Sequence, residues 1–310
     1  MPSVYYVRTD GTVAAADKSP DAFGPPEDPG GADRCLDETT FNACSGANAF
    51  AAGDAVTFSS LGGDFTTELV IPSAGGELPV FYVPNVGDNS VLLTVAAGTA
   101  LTNARSDITI GSAIAGNVMT ITTAGANGIN LSTATQANVI IRNVTVTAAS
   151  YGIVSAQVLT TVTVEDFTTT AALYGVYFYQ TVFSSNSSDA TIRRGTITTG
   201  AIGLQYFDNV TVEDITIVNV SGGSTSGVLQ LISCVGDVVI RRVSAAADNV
   251  DVIMPGIAVN TSTLDSLLIE DCTILDGSAA IQFLDGTCPS GGWGVIRRCL
   301  TSNHTLAGVQ

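Results

Sequence analysis

The residues that could do chemistry come in adjacent charged pairs through the second half of the chain. They are Glu165-Asp166, Arg193-Arg194, Glu213-Asp214, Arg241-Arg242, Glu270-Asp271 and Arg297-Arg298, with Arg142-Asn143 ahead of them. Clustered carboxylates can bind Ca²⁺, and an unpaired Arg or Lys can act as the base of an elimination. Here acids and arginines alternate, so the field of each acidic pair is neutralised by its neighbours and no acid cluster is expected. The only His is His304 and the only Lys is Lys18, and no Cys-x-x-Cys is present. No metal site, no cofactor and no catalytic residue follows from these types and spacings.

Three other sets could bind rather than react. Tyr177 and Tyr179 alternate with Val176 and Phe178, which turns both rings outward beside Gln205 and makes a platform for a sugar ring. Phe178 and Tyr206 are expected in the core. Thr120/Thr122, Thr145/Thr147, Thr168/Thr170 and Thr196/Thr198 put a Thr-x-Thr at one phase of four successive repeats, a flat array similar to the face of β-helical ice-binding proteins. Val218, Ser244 and Ala246 interrupt it. Of the six Cys, Cys272 and Cys299 each lie three residues past an equivalent repeat position, within disulfide range if the repeats stack. Cys35 and Cys44 could close a short loop unless the chain between them is helical.

The elements that must carry these residues repeat. Val139-Ile140-Ile141, Val162-Thr163-Val164, Ala190-Thr191-Ile192, Val210-Thr211-Val212, Val238-Val239-Ile240, Leu267-Leu268-Ile269 and Gly294-Val295-Ile296 each precede a doublet. Their third residues are separated by 23, 28, 20, 28, 29 and 27 positions. Alternation in twos, richness in Val, Ile and Thr and the absence of a helical stripe predict short strands. A period near 26 fits one coil of a three-sided parallel β-solenoid, whose coils stack at about 4.8 Å. The alternating doublets support stacking, because like charges one coil apart repel and opposite ones attract. A second strand begins at Gly152, Gly175, Gly203, Gly227 and Gly256, and the first three, each eleven residues past its anchor, are expected to need positive φ.

About ten coils from Gly53 would make a rod on the order of 50 Å. Residues 1–52 differ, with Pro, Gly and Asp between Pro20 and Asp33 and a short helix expected between Leu36 and Ala49, and they read as an N-terminal cap on a β-helix spanning 53–310. The 310 residues are 45% apolar and 13% charged, with a net charge of −17 at pH 7. Nucleic acid is therefore repelled. No apolar stretch approaches the roughly 18 residues of a spanning helix, so membrane insertion is not expected. No basic n-region and apolar h-region precede Tyr5, so any secretion signal is expected to have been removed or never present. The even Cys count suits an extracellular chain.

These coils resemble the right-handed parallel β-helix superfamily, the pectate-lyase-like group of lyases, hydrolases, epimerases and structural rods. The resemblance extends to Val4-Tyr5-Tyr6-Val7-Arg8-Thr9-Asp10-Gly11, Ala52-Gly53-Asp54-Ala55-Val56-Thr57-Phe58 and Val70-Ile71-Pro72-Ser73-Ala74-Gly75-Gly76. It implies an all-β, single-stranded right-handed parallel β-helix. The Asn-x-Asp, Asp-Asp, Gly-His-Gly and Arg-x-Lys of its hydrolases are missing, as is the Asp-Pro-His run of its epimerases. The expected function is a non-enzymatic rod at a cell or virion surface, contacting carbohydrate or a protein surface and able to self-associate laterally or end to end. Its alternatives are a polysaccharide lyase or hydrolase, and ice binding through the Thr-x-Thr face.

Overall fold

Val, Ile and Thr are stiff at χ1 and pack well on a pleated surface buried on one side. The protein accordingly forms an all-β parallel solenoid of about 6 turns with about 3% helix. In this computed structural model the described residues are 4–17, 35–45, 48–51, 53–59, 62–71, 90–112, 116–180, 187–219, 228–246, 257–260, 263–284 and 293–309.

Three series of parallel pairings run through the stack. The first aligns Ile110, Ile141, Val164, Ile192, Val212, Ile240, Ile269 and Ile296. All of these are fully buried except Ile296. The second aligns Ile121, Val146, Thr169, Ile197, Ile217, Ala245 and Ile274. The third aligns Ile129, Ile153, Val176, Ile202, Leu229, Ile257 and Ile281. These columns merge into one hydrophobic core. Each fully buried Val or Ile stabilises the fold by about 1.5–3 kcal/mol relative to exposure.

At the front, strand β1 (Val4–Val7) pairs in parallel with β2 (Ala55–Phe58), so residues on both sides of position 52 share one small sheet. Helix α1 (Glu38–Asn42) is held at its start by a capping box between Asp37 and Thr40, and its Phe41 packs against Phe50 and Phe58. Next, β3 (Leu69–Ile71) begins the main sheet. Helix α1 lies against it. The Asn42 carboxamide donates to the Glu68 carbonyl at 2.7 Å and accepts from the Val70 amide at 2.8 Å. A Glu38 carboxylate oxygen accepts from the amides of Thr66 and Thr67.

The turn count falls short of the expected ten. Strand β2 joins β1 in its own two-stranded sheet instead of starting the stack. The glycines also act differently from expectation. Positive φ is absent at Gly152, Gly175 and Gly203 and falls instead on Asn143, Asp166, Arg194, Asp214, Arg242, Asp271 and Arg298, the second residue of every doublet. What those glycines provide is room. A Cβ on Gly152 would stand 2.6 Å from the Gly175 carbonyl, and one on Gly203 would stand 2.6 Å from the Tyr177 ring. Gly227 and Gly256 lie outside the described residues. Phe207, not Tyr206, joins Phe178 in the core, because Tyr206 sits at φ 62° and turns the following residue inward. Among the described residues, no helix is long and apolar enough to cross a membrane.

Candidate functional site

The doublets stack in register, Arg142 on Glu165, Glu165 on Arg193, Arg193 on Glu213, Glu213 on Arg241, Arg241 on Glu270 and Glu270 on Arg297. The ion pairs follow a stricter rule than this alternation. Glu165 meets Arg193 at 2.6 Å and Arg194 at 2.8 Å, and Asp166 meets Arg194 at 2.7 Å. Glu213-Asp214 repeat the arrangement with Arg241-Arg242, and Glu270-Asp271 with Arg297-Arg298. Each acidic turn is thus bonded to the Arg turn that follows it. Among the described residues no ion pair joins an Arg turn to the next acidic one. The Arg194 guanidinium, by hydrogen bond, holds the Asp166 carboxyl below its ordinary value, and Arg242 and Arg298 do the same for Asp214 and Asp271. Carboxylates held ionised in this way are poor proton donors at neutral pH.

A second polar column runs three positions ahead of the first series. Asn138 donates to Asp107 at 2.6 Å, Asn209 donates to Asp189 at 2.8 Å and Ser266 donates to Asp237 at 2.5 Å. Beside it lies an open depression of about 420 Å³ lined by Asp208, Asn209, Val235, Gly236, Thr263 and Asp265. Among the described residues no three His, Cys, Asp or Glu side chains gather as a metal site.

The threonines form two columns on the outer side of the second series. The first runs Thr120, Thr145, Thr168, Thr196 and Thr216, then Ser244 and Thr273. The second runs Thr94, Thr122, Thr147, Thr170 and Thr199. A register shift after Thr169 brings Thr199 into line and leaves Thr198 outside it. Thr94 and Thr216, which the Thr-x-Thr spacing did not flag, extend the array. Ala246 stands opposite Leu275, and Val218 is exposed.

Four tyrosines, not two, make the aromatic site. Tyr174 and Tyr177 stack with centroids 4.2 Å apart, Tyr177 and Tyr179 with centroids 4.7 Å apart, and Tyr151 lies 5.7 Å from Tyr177. The Tyr177 and Tyr174 rings lie over Gly203, where a Cβ would stand 2.6 and 2.9 Å from them. Gln205 donates to the Tyr177 hydroxyl at 2.9 Å, and the Tyr174 hydroxyl donates to Gln230 at 3.1 Å. Tyr177, Tyr179 and Gln205 therefore come together. Tyr177 is close-stacked on both Tyr174 and Tyr179, and Tyr179 has Tyr177 as its one ring neighbour among the described residues. Burial first, then the neighbouring phenols, pushes the Tyr177 hydroxyl up to about 12. Phe183 lies outside the described residues.

Cys272 and Cys299 stand at matching positions on adjacent turns, since Thr273 pairs with Leu300, and both are thiols. Burial pushes the Cys272 thiol up to about 11. Cys35 and Cys44 flank α1 and are both buried. Cys288 and Lys18 lie outside the described residues, and His304 sits in the strand Leu300–Val309. No protein-family model, no curated protein and no solved structure matches this chain.

Proposed function

We propose that the chain is a non-enzymatic structural rod of the right-handed, pectate-lyase-like group, held at a cell or virion surface, whose tyrosine-bearing face contacts carbohydrate. The tyrosine stack supports this reading. Its half-buried rings are fixed against one another, and two carboxamides already engaged with the phenols hold the hydroxyls in place. An array that is ordered before binding loses little side-chain freedom on meeting a sugar ring. Tyr179, at the edge of the stack, is the ring best placed to take the sugar, with Gln205 supplying a polar contact.

Binding to immobilised acidic and neutral polysaccharides tests the proposal. Tyr179→Ala should weaken retention by about tenfold, as expected for loss of one stacking ring. Unchanged retention would remove the tyrosine face from the reading. Release of unsaturated or reducing sugars, lost in Asp208→Asn or Asp265→Asn, would instead establish the lyase or hydrolase alternative at the depression those residues line.

A second reading rests on the two in-register threonine columns. Their spacing repeats that of the strands, about 4.8 Å along the rod, which suits an ordered water layer. Thermal hysteresis abolished by Thr145→Lys and Thr168→Lys would favour ice binding over carbohydrate.

A further inference from the structure

The residue that follows each doublet sits at a corner of the wall. In the turns of Val144, Phe167, Ile215 and Val243 that residue is apolar and buried, and the Phe167 ring fills the place over Gly195. The column then changes character. Ser244 pairs with Thr273 and Thr273 with Leu300, so Cys272 stands on Val243 and Cys299 stands on Cys272. Two backbone bonds bracket the pair. The Asp271 amide donates to the Arg297 carbonyl at 3.2 Å, and the Leu300 amide donates to the Cys272 carbonyl at 2.8 Å. They hold the two turns at strand spacing, about 4.8 Å, inside the roughly 4.4–6.8 Å of Cα separation that a disulfide spans. The Cys299 thiol donates to the Ile269 carbonyl at 3.8 Å, which leans its sulfur into the turn that carries Cys272.

We propose that Cys272 and Cys299 form a redox pair that closes to a disulfide and so locks the couple made by Glu270-Asp271 and Arg297-Arg298. The oxidant is a low-molecular-weight disulfide. The Cys299 thiolate attacks one of its sulfurs and releases one thiol, leaving a mixed disulfide on Cys299. Cys272 then gives up its proton and displaces the second thiol as the Cys272–Cys299 bond forms. The protein loses two protons and two electrons, and the small disulfide is reduced to two thiols. This order follows from the surroundings of Cys272, where burial first, then the neighbouring Cys299 thiol, pushes the thiol up to about 11 and leaves it the poorer first nucleophile. The ion pairs of the couple weaken in acid and salt, whereas the covalent bond across it yields only to a reductant.

Peptide mapping of the full chain tests the pair. The reduced protein is incubated with oxidised glutathione at about pH 8, its remaining thiols are alkylated, and it is digested with trypsin and a protease specific for Glu and Asp, which together separate Cys272, Cys288 and Cys299. A linked peptide joining Cys272 to Cys299, two hydrogens lighter than the sum of its parts, is expected, and Cys288→Ser should leave it unchanged. Cys272→Ser should instead retain glutathione on Cys299. The oxidised protein should melt about 5 °C higher than the reduced one, and the Leu300 amide should exchange its hydrogen about tenfold more slowly. Dithiothreitol should reverse both. Cys272 and Cys299 that both remain open to alkylation would overturn the proposal, as would a Cys299 bonded to Cys288 or to a second molecule. So would a linked pair that alters neither melting nor exchange.

Discussion

Each doublet ends on a residue with φ between 50° and 56°, a conformation that costs a non-glycine residue about 1–2 kcal/mol and that Asp and Asn tolerate best. At Asp214 the backbone and the ion pair can be separated. Asp214→Asn and Asp214→Ala both remove the carboxylate that meets Arg242 at 2.5 Å, but only Asn suits the turn. Urea unfolding should find the Ala variant less stable than the Asn variant by about 1 kcal/mol. The carboxyls of Asp166, Asp214, Glu270 and Asp271 are all held below their ordinary values of 3.8 and 4.5. A depressed value means that the ionised pairs stabilise the fold at neutral pH and down to the ordinary carboxylate range near about 4. That contribution is lost as pH falls through the lowered values. Melting temperature followed from pH 6 downward should therefore hold level and then drop below about pH 4, and high salt should shrink the drop. The doublets were legible in the sequence because opposite charges one turn apart leave a pattern of letters. Their left-handed backbone was not, since Arg194, Arg242 and Arg298 are residues no turn signal favours.

The strands were legible from alternation, which assigns a residue to one side of the wall and says nothing of how its side chain leans. Tyr177 and Tyr179 were placed outward by that rule and are indeed partly exposed. Their mutual stacking depends on Gly203 in the following turn and on Tyr174, whose place before the Gly175 corner puts it out of phase with them. Thr198 was misaligned for a related reason. One irregularity in pairing after Thr169 moves the column by a residue, and no local composition marks it. Helix α1 shows how a short element can act through two side chains. The Asn42 carboxamide presents a donor and an acceptor to β3 much as a neighbouring strand would. Asn42→Ala leaves the Glu68 carbonyl and Val70 amide without those partners. It should lower stability by about 1–3 kcal/mol and speed hydrogen exchange at Val70 relative to Ile141.

Across the molecule, the inward columns make stability a sum over neighbouring turns. Ile240 is fully buried, with Val212 below it and Ile269 above. Ile240→Ala should cost about 2–5 kcal/mol by thermal or denaturant unfolding, and Ile296→Ala, at the partly exposed end of the same column, less than about 1 kcal/mol. Equal losses would mean that the last turn is covered in solution. The periodic strand letters that revealed the stack do not mark where it starts, because the stretch around β2 carries the same letters and spends them on a separate sheet.

The direction of the ion pairs makes the rod a stack of couples. Glu165-Asp166 grips Arg193-Arg194, Glu213-Asp214 grips Arg241-Arg242, and Glu270-Asp271 grips Arg297-Arg298, whereas between one couple and the next no ion pair is seen among the described residues and single hydrogen bonds, Asn209 to Asp189 and Ser266 to Asp237, join the turns instead. Stretched between its two tips, such a filament would yield at the seams between couples before it yielded within them. Its extension under force would then lengthen in jumps of two coils of chain, a sawtooth with twice the tooth width that a uniform spring of identical coils would show.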